Sequence, residues 1–509
     1  MFQKGWITKV FLLFLALLFS SCRSSDNVIV SFDTAGGTPA IECQIIQRGG
    51  MVEPVDPPRR TGFIFGGWYT DTGHTSRWDF DNGTVTADKT LYARWQRSSV
   101  TGSGPMPSPG GNATLHGVYD RVSWMAAFDY IFNSAAGSSH IINIVDSFDV
   151  YRSFIPPPPI LPTPFRFING GRTVYIRQLG GNHTVRFECP PGCIPGCGVY
   201  TVVLNDPGTR LILDGPVFDG IFFQAHGGPE LVLKSGTIKN NFRSAVHVGP
   251  ESTFTMNGGT IDGNNNAGST GVEVSGQSSM TTPAIFAMHG GTITGNENGG
   301  VRVYGTKGSQ SGKTVFNMTG GTITGNNGSG VVLTSSTFSG GMTAHGIIIF
   351  NMSGGTITNN IAATYGGGVF LRGHAGSSIN NNNIATFNMT GGTIGGNLAA
   401  NGGGVFVRGS SHGGSAVFSM SGGAISNNTS TVNGGGVFVS GGFNGGTGTF
   451  QMSGGKIYGD PSNTAANPNS ASLRLGATGT LQANFMPSGN PILGSNTLNT
   501  GTDSVITHP

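Results

Sequence analysis

The feature of this sequence that most restricts its fold is a repeat that returns every 30 to 37 residues in its C-terminal half. Each copy begins with Phe-x-Met and keeps fixed offsets, with Gly-Gly at +4 and +5, Ile at +7 and, in all but the last copy, Asn at +10. The copies begin at Phe254, Phe286, Phe316, Phe350, Phe387, Phe418 and Phe450, after a degenerate copy at Leu231. Only the joining loops vary in length. A period in this range is typical of a solenoid or an array.

The composition excludes several other kinds of protein. Of the 509 residues, 87 are glycine, more than twice the usual share of ~7 %, and only 10 % are charged. Glycine is not placed at every third residue, which excludes collagen, and this much glycine with so little charge disfavours a helical enzyme. The net charge of +3 comes without a basic block, so we expect no nucleic-acid partner.

Each copy contains three short stretches in which apolar residues alternate with others, and glycine turns separate them. Residues two apart in a strand point to the same side, so the Phe and Met of each copy share one face. Stacked copies would place equivalent Phe, Met, Ile and Val side chains on top of one another and pair their backbones as parallel strands. The sequence therefore predicts an all-β fold whose main part is a right-handed parallel β-helix. A β-propeller is the alternative, but its blades need four strands each.

The asparagine at +10 is expected at a turn, where its side chain can bond the backbone and where it tolerates left-handed geometry. Stacking would turn these residues into a structural asparagine ladder. The predicted members are Asn241, Asn264, Asn296, Asn326, Asn360, Asn397 and Asn428.

The N-terminal 22 residues have the pattern of an export signal. Two lysines precede an apolar stretch of ten residues, Val10 to Phe19, which is too short to span a bilayer as a helix. Small residues then precede Cys22. This resembles a bacterial lipoprotein signal, in the relaxed form found in spirochaetes, and the resemblance implies that Cys22 carries the lipid. An ordinary secretory signal followed by an incidental cysteine is the alternative.

Residues 26–96 differ in composition from the rest and contain three of the five tryptophans. Alternating strands end in Gly-Gly turns, and the segments "GFIFGGWY" and "LYARW" are aromatic-rich. On these motifs the module resembles the Listeria–Bacteroides repeat, the internalin-type B repeat. The resemblance implies a small β-grasp-like module on a bacterial surface protein, with its tryptophans in the core. Residues 97–115 form a Ser/Gly/Pro linker.

Residues 116–230 are expected to cap the β-helix and form its first coils, and residues 231–509 to form the repeat coils and the C-terminal coils. Apolar residues at helical spacing predict one amphipathic helix over 120–133, including Phe132. It would shield the open end of the solenoid from edge pairing. The repeats resemble those of spirochaete and clostridial surface β-helix proteins of the pectin-lyase-like class, and "GGAI" at 422–425 also occurs in polymorphic outer-membrane proteins.

Five cysteines are few for an exported protein of this length. Cys189, Cys193 and Cys197 are spaced four residues apart, which leaves open a disulfide (within the group or to Cys43), unpaired thiols, or a metal site. A structural zinc site needs four ligands, so we expect no metal. We expect no other cofactor.

The sequence also disfavours catalysis. Polysaccharide lyases and hydrolases on β-helices need carboxylates, either as an acid and base pair or as calcium ligands. The 162 residues between Glu297 and Asp460 contain neither Asp nor Glu. A polysaccharide-active enzyme that uses carboxylates between Asp206 and Glu273 is the alternative to a protein that only binds.

One outward surface is predicted to bind a ligand. In "GGGVFLRG" and "GGGVFVRG" the valines and leucine are assigned to the core, so Phe370, Arg372, Phe406 and Arg408 should face outward, and the next coil adds Phe438. Aligned rings suit a glycan or the apolar edge of a partner, and arginine suits an acidic group. The alternative is that a loop covers this surface, or that the rings only stiffen the sheet.

Taken together, the sequence predicts an exported, adhesin-like or structural protein of the cell envelope. Its partners would be the membrane, through a lipid on Cys22, and a glycan or a host or envelope protein. The outer-membrane surface is the expected location, with secretion as the alternative.

Overall fold

The structure is a computed structural model. It describes residues 26–58, 60, 63–80, 82–97, 113–119, 121–151, 165–179, 181–188, 200–241, 244–264, 269–276, 282–305, 308–334, 344–373, 384–409, 414–441, 446–457, 473–475 and 479–483. These residues form two compact units, of which the first ends at Ala126 and the second begins its main part at Ala127. Cys22, Cys189, Cys193 and Cys197 lie outside the described residues, and Cys43 is exposed with a free thiol.

The first unit contains a small mixed sheet with the strand order β2-β1-β4-β3. Its strands are β1 (Asn27–Asp33), β2 (Gln44–Gln47), β3 (Phe63–Tyr69) and β4 (Lys89–Arg97). The two central strands, β1 and β4, are parallel, and each outer strand is antiparallel to its neighbour, which agrees with the predicted β-grasp-like module. Trp68 and Trp78 are buried, and the indole N–H of Trp95 donates to the Thr34 carbonyl at 2.8 Å. The tryptophans therefore belong to the core of this module, as predicted.

A strand and a helix follow, β5 (Thr114–Val118) and α1 (Arg121–Asn133). The predicted helix is thus present, and Trp124, Phe128 and Ile131 are buried along it. Phe132 is the exception, because its side chain is 52 % exposed on the opposite side. At the C-terminal end of α1, the Arg172 guanidinium donates to the carbonyl oxygens of Phe132 and Ser134.

The solenoid has three faces per coil. Face 1 contains β6 (Ser139–Ile144), β9 (Thr173–Gln178), β12 (Arg210–Asp219), β14 (Glu230–Lys239), β16 (Thr253–Met256), β19 (Ala284–Met288), β22 (Gly308–Met318), β25 (Ala344–Met352), β29 (Ile384–Met389), β33 (Ser415–Ser426), β36 (Thr447–Ile457) and β38 (Gly479–Ala483). Face 2 contains β7 (Phe148–Tyr151), β10 (Thr184–Glu188), β17 (Thr260–Asp262), β20 (Thr292–Thr294), β23 (Thr322–Thr324), β26 (Thr356–Thr358) and β30 (Thr393–Gly395), together with the second halves of β12, β14, β33 and β36.

Face 3 is a separate sheet of 11 strands. Its strands are β8 (Phe165–Ile168), β11 (Tyr200–Asn205), β13 (Ile221–His226), β15 (Val246–Val248), β18 (Val272–Gly276), β21 (Val301–Gly305), β24 (Val331–Thr334), β28 (Val369–Arg372), β32 (Val405–Arg408), β35 (Val437–Ser440) and β37 (Leu473–Leu475). A short fourth sheet joins three of the coils on the outside. Its strands are β27 (Ile361–Tyr365), β31 (Leu398–Asn401) and β34 (Thr429–Asn433).

Strands of successive coils pair in parallel, and equivalent repeat positions face each other. Phe254 pairs with Phe286 and Met256 with Met288, and the same register continues from coil to coil. This arrangement confirms the predicted parallel β-helix and excludes the propeller.

The core consists of columns of identical side chains. The repeat Phe, Met and Ile residues are buried, except Met452 in the last copy, which is half-buried. The phenylalanine rings from Phe254 to Phe418 stack with centroids 4.6 to 5.0 Å apart and with planes within 9° of each other. The constant Phe-x-Met offset therefore builds an aromatic stack along the whole described part of the repeat region.

The asparagine ladder is present and buried. Asn360 is typical: its backbone N–H and its Nδ2 both donate to Asn397 Oδ1 at 3.0 Å, and Nδ2 also reaches the Thr358 and Ile323 carbonyl oxygens at 3.1 Å. The same pattern links the coils between Asn296 and Asn428. The amides of Asn326, Asn360 and Asn397 thus bond to groups in their own coil and in both neighbouring coils.

One detail of the ladder prediction is wrong. The left-handed residue is the one before the ladder asparagine, as at Gly325 (φ 63°) and Asn359 (φ 55°). The turn needs this conformation one step earlier, so that the ladder amide can point inward between the coils.

Replacing Asn360 by alanine should destabilise the solenoid strongly. The backbone N–H and the Nδ2 of Asn326 both donate to Asn360 Oδ1 and would lose their buried acceptor. Each unsatisfied buried group costs about 1–3 kcal/mol. A thermal melt followed by circular dichroism should show a clear fall in Tm.

The matched control is Asn388→Ala, which removes a half-buried amide from the outer surface of face 1, where water can replace it. We expect a change within ~0.5 kcal/mol for this variant. Equal melting temperatures for the two variants would contradict a structural role of the inner ladder.

Candidate functional site

The predicted binding residues lie on the outside of face 3, in two columns. Strand alternation buries Val369 and Leu371, and leaves Phe370 and Arg372 on the outer side of the sheet. The register places Phe370 beside Phe406 and then Phe438, and it places Arg372 beside Arg408. The structure therefore brings together all five residues singled out in the sequence.

The phenylalanine column is not exposed, however, and the expectation of a solvent-facing ribbon of rings is wrong. Phe406 is 3 % exposed and Phe438 is 9 % exposed, while Phe370 is half-buried. The rings stack on one another with centroids 5.6 and 4.9 Å apart. The Tyr365 ring packs against Phe370 and Phe406 at 5.3 and 5.2 Å.

The cover comes from the glycine turn that precedes each ring. Gly366, Gly402 and Gly434 have φ between 53° and 65°, and the chain folds back over the following phenylalanine. A Cβ atom on these glycines would lie 2.7 to 2.9 Å from the phenylalanine Cβ. The sequence contained the signal, because "IAATYGGG", "LAANGGG" and "TSTVNGGG" supply three aligned strands, β27, β31 and β34. The alternative that the rings are covered is therefore correct for Phe406 and Phe438.

Because Phe406 is buried, Phe406→Ala should reduce stability. Removing a buried phenylalanine typically costs 3–5 kcal/mol. Ile361→Ala is the control, since Ile361 lies in β27 of the neighbouring outer sheet with its side chain 54 % exposed. Equal melting temperatures for Phe406→Ala and Ile361→Ala would mean that the rings are not buried, and would support an open ligand surface instead.

The arginine column remains accessible. Arg372 and Arg408 are both half-buried and occupy adjacent strands in register. The Arg408 guanidinium lies 5.4 Å from the centroid of the Tyr365 ring, within the range of a cation–π contact. Burial, followed by the charge of Arg408, lowers the pKa of the Arg372 guanidinium, and Nε of Arg372 is buried without a hydrogen-bond partner.

Within the described part of the chain, neither Arg372 nor Arg408 forms an ion pair. The two arginines lie near the middle of the 162 residues that lack Asp and Glu. Among the described ion pairs, the one fewest coils away from the two arginines joins Arg302 of β21 to Glu273 of β18 at 3.7 Å. Arg372 and Arg408 therefore form a local positive site with hydrogen-bond capacity left over, which suits an anionic group.

A polar cluster lies further along the outside of face 3. His247 Nε2 is 2.8 Å from Ser275 Oγ, and the His226 ring meets the His247 ring edge-on at 5.1 Å. Burial, with a smaller contribution from His226, lowers the pKa of His247 to about 4, so this imidazole is neutral at pH 7. Ser275 is only 4 % exposed and cannot meet a large substrate.

The carboxylates considered for catalysis lie beside cations and hydroxyl groups. Asp214 accepts hydrogen bonds from Ser235 Oγ at 2.6 Å, from the Tyr175 hydroxyl, and from Lys234 Nζ at 3.1 Å. Burial opposes ionisation there, but these hydrogen bonds outweigh it and lower the pKa of Asp214. Asp219 lies 3.5 Å from Lys239 and 3.6 Å from Arg186.

Within the described residues, no group of His, Cys, Asp or Glu side chains is arranged to hold a metal ion. In the same part of the chain, no helix is long and apolar enough to cross a membrane.

These features define a β-helical repeat protein preceded by a small mixed-sheet module. Residues 29–94 match the model of the Listeria–Bacteroides repeat domain, which confirms that resemblance for the module. A "Putative Gly-rich membrane protein" of Evansella cellulosilytica is 38 % identical over 104 residues, covering 18 % of this chain and 12 % of that protein. A "Putative membrane protein" of the same organism is 40 % identical over 72 residues, covering 14 % and 11 %. The chain thus spans about an eighth or less of the length of these relatives.

Proposed function

We propose that this protein is an envelope-anchored binding protein whose β-helix presents a positively charged site to an acidic ligand. The ligand class that fits is a polysaccharide with sulfate or carboxylate groups, or an acidic segment of an envelope or host protein. The chain binds this ligand without transforming it.

The observation that carries this proposal is the pair Arg372 and Arg408. The two arginines lie on adjacent parallel strands, so their Cα atoms are roughly 4.8 Å apart. At this spacing both guanidinium groups can donate hydrogen bonds to neighbouring oxygens of one acidic group. Burial is the main cause of the lowered pKa of Arg372, and the like charge of Arg408 beside it lowers this pKa further. A bound anion relieves this repulsion and supplies an acceptor for the buried Nε of Arg372.

Tyr365 and Phe370 supply the apolar part of the site. Tyr365 packs against Phe370 and also against the Arg408 guanidinium, so it holds that arginine beside the half-buried ring. A sugar ring next to its own acidic group would meet both kinds of surface. Phe406 and Phe438 support the site from below and do not contact the ligand.

The double variant Arg372→Gln/Arg408→Gln should lose binding to an immobilised sulfated polysaccharide such as heparin. Hydrogen bonds to charged groups contribute about 1.5–3 kcal/mol each, so we expect at least a tenfold rise in Kd by surface plasmon resonance.

The matched control is Lys313→Gln/Lys456→Gln, which removes the same charge from two exposed positions of the acid-poor region. It should bind nearly as well as the natural chain. An equal loss in both double variants would mean that binding depends on net charge alone, and the arginine site would be abandoned. Shortened or unsaturated polysaccharide products in the same samples would instead support the enzymatic alternative, for which the Asp214 cluster is the place to look.

We also propose that a lipid on Cys22 anchors the chain to the cell envelope, at the outer-membrane surface. The signal-like N-terminus that ends at Cys22 supports the lipid anchor. The repeat domain and the membrane-protein names of the Evansella relatives support an association with the envelope. The expressed protein should partition into the detergent phase, and Cys22→Ala should release it to the aqueous phase. Finding the natural chain in the aqueous phase after signal cleavage would contradict the lipid anchor.

A further inference from the structure

The outside of face 2 carries a regular array of threonines in three consecutive coils. Strands β20, β23 and β26 all read Thr-Ile-Thr, with the isoleucine buried and both threonines facing outward. The strands pair in register, so equivalent threonines adjoin. We call these six residues the threonine array: Thr292, Thr294, Thr322, Thr324, Thr356 and Thr358. Thr260 below and Thr393 above continue its first column.

The array repeats at one spacing from coil to coil and at another along each strand. Neighbouring strands lie ~4.8 Å apart, and alternate residues along a strand are roughly 6.6 Å apart. The phenylalanine rings behind these coils, from Phe286 to Phe350, lie 4.6 to 4.7 Å apart with planes within 4° of parallel. The spacing from coil to coil is therefore regular in the core, and the in-register strands carry it to the outer threonines.

The chemistry of the array is uniform and uncharged. All six side chains are partly exposed, and none of their hydroxyl groups forms a hydrogen bond within the described part of the chain. The outer amides of face 1 differ in this respect, because Asn351 bonds to both Asn317 and Asn388. Among the described residues, the second column of the array continues downward to Asp262, which pairs with Thr294, and then to Lys239 in the next coil.

We propose that the threonine array binds the surface of ice. A prism face of hexagonal ice repeats its oxygen atoms in a rectangular pattern of similar dimensions. The free hydroxyl groups can occupy lattice positions, and the methyl groups between them order the adjoining water. The array offers no aromatic ring for stacking and no charge, so it lacks the groups by which proteins bind sugars or acidic ligands.

Incorporation of the fluorescently labelled full chain into a slowly growing ice hemisphere tests this inference, together with thermal hysteresis in the same samples. The natural protein should enter the ice. Thr324→Tyr places a bulky ring at the centre of the array and should lower incorporation at least tenfold, while the circular-dichroism melt stays unchanged. Thr324→Lys is the second variant, in case the tyrosine alters folding.

Thr386→Tyr is the matched control, because Thr386 is an outward, partly exposed threonine on face 1. It should enter ice like the natural chain, and so should Arg372→Gln/Arg408→Gln, which separates this inference from the anion site. Exclusion of the natural chain from ice to the same degree as serum albumin would overturn the proposal. Equal incorporation of the Thr324 and Thr386 variants would also overturn it.

Discussion

The structure depends on the buried side-chain amide of the ladder asparagine, whose hydrogen-bond partners lie partly in the neighbouring coils. An unpaired amide inside a protein is costly, and a ladder in which every member is satisfied fixes the register of the elements that it joins. Here Oδ1 of the ladder asparagines from Asn326 to Asn428 accepts two bonds from the coil before, as at Asn360. A shift by one residue would break both bonds. The ladder thus specifies register where the apolar columns alone would tolerate small displacements.

Fixed register turns each repeat position into a column along the solenoid. Inside, it stacks the phenylalanine rings; outside, it aligns arginines on face 3 and threonines on face 2. The two proposed sites therefore arise from one cause, since a single side chain at a repeat position becomes a row when coils repeat. They differ because face 3 is partly covered by the outer sheet of β27, β31 and β34, whereas face 2 carries only its own short strands.

Much of this fold could be predicted because the repeat offsets report burial directly. The Phe, Met and Ile columns, the ladder and the parallel pairing all follow from strand alternation applied to stacked copies. Besides the position of the left-handed residue at the ladder turn, two predictions failed where alternation is not the deciding factor. It assigned Phe406 to the outside of the sheet correctly, but it could not show that the turn at Gly402 folds over the ring. Helical periodicity likewise grouped Phe132 with the buried residues, although the helix ends there and leaves it exposed. The acid-free surroundings of Arg372 were readable from the sequence alone, whereas its burial was not.

The equivalence of successive coils also governs how such a chain can change in length during evolution. A coil whose neighbours above and below present the same Phe, Met, Ile and Asn positions can be duplicated or removed as a unit, and the flanking coils meet with unchanged contacts. An insertion of any other size must be confined to a loop, and the spacing of the copies shows this, since 30 to 37 residues separate Phe-x-Met motifs whose strands still pair in register. Recombination between copies therefore changes the length of the solenoid by whole coils, each of which adds one strand spacing. The side chains that each face presents stay the same.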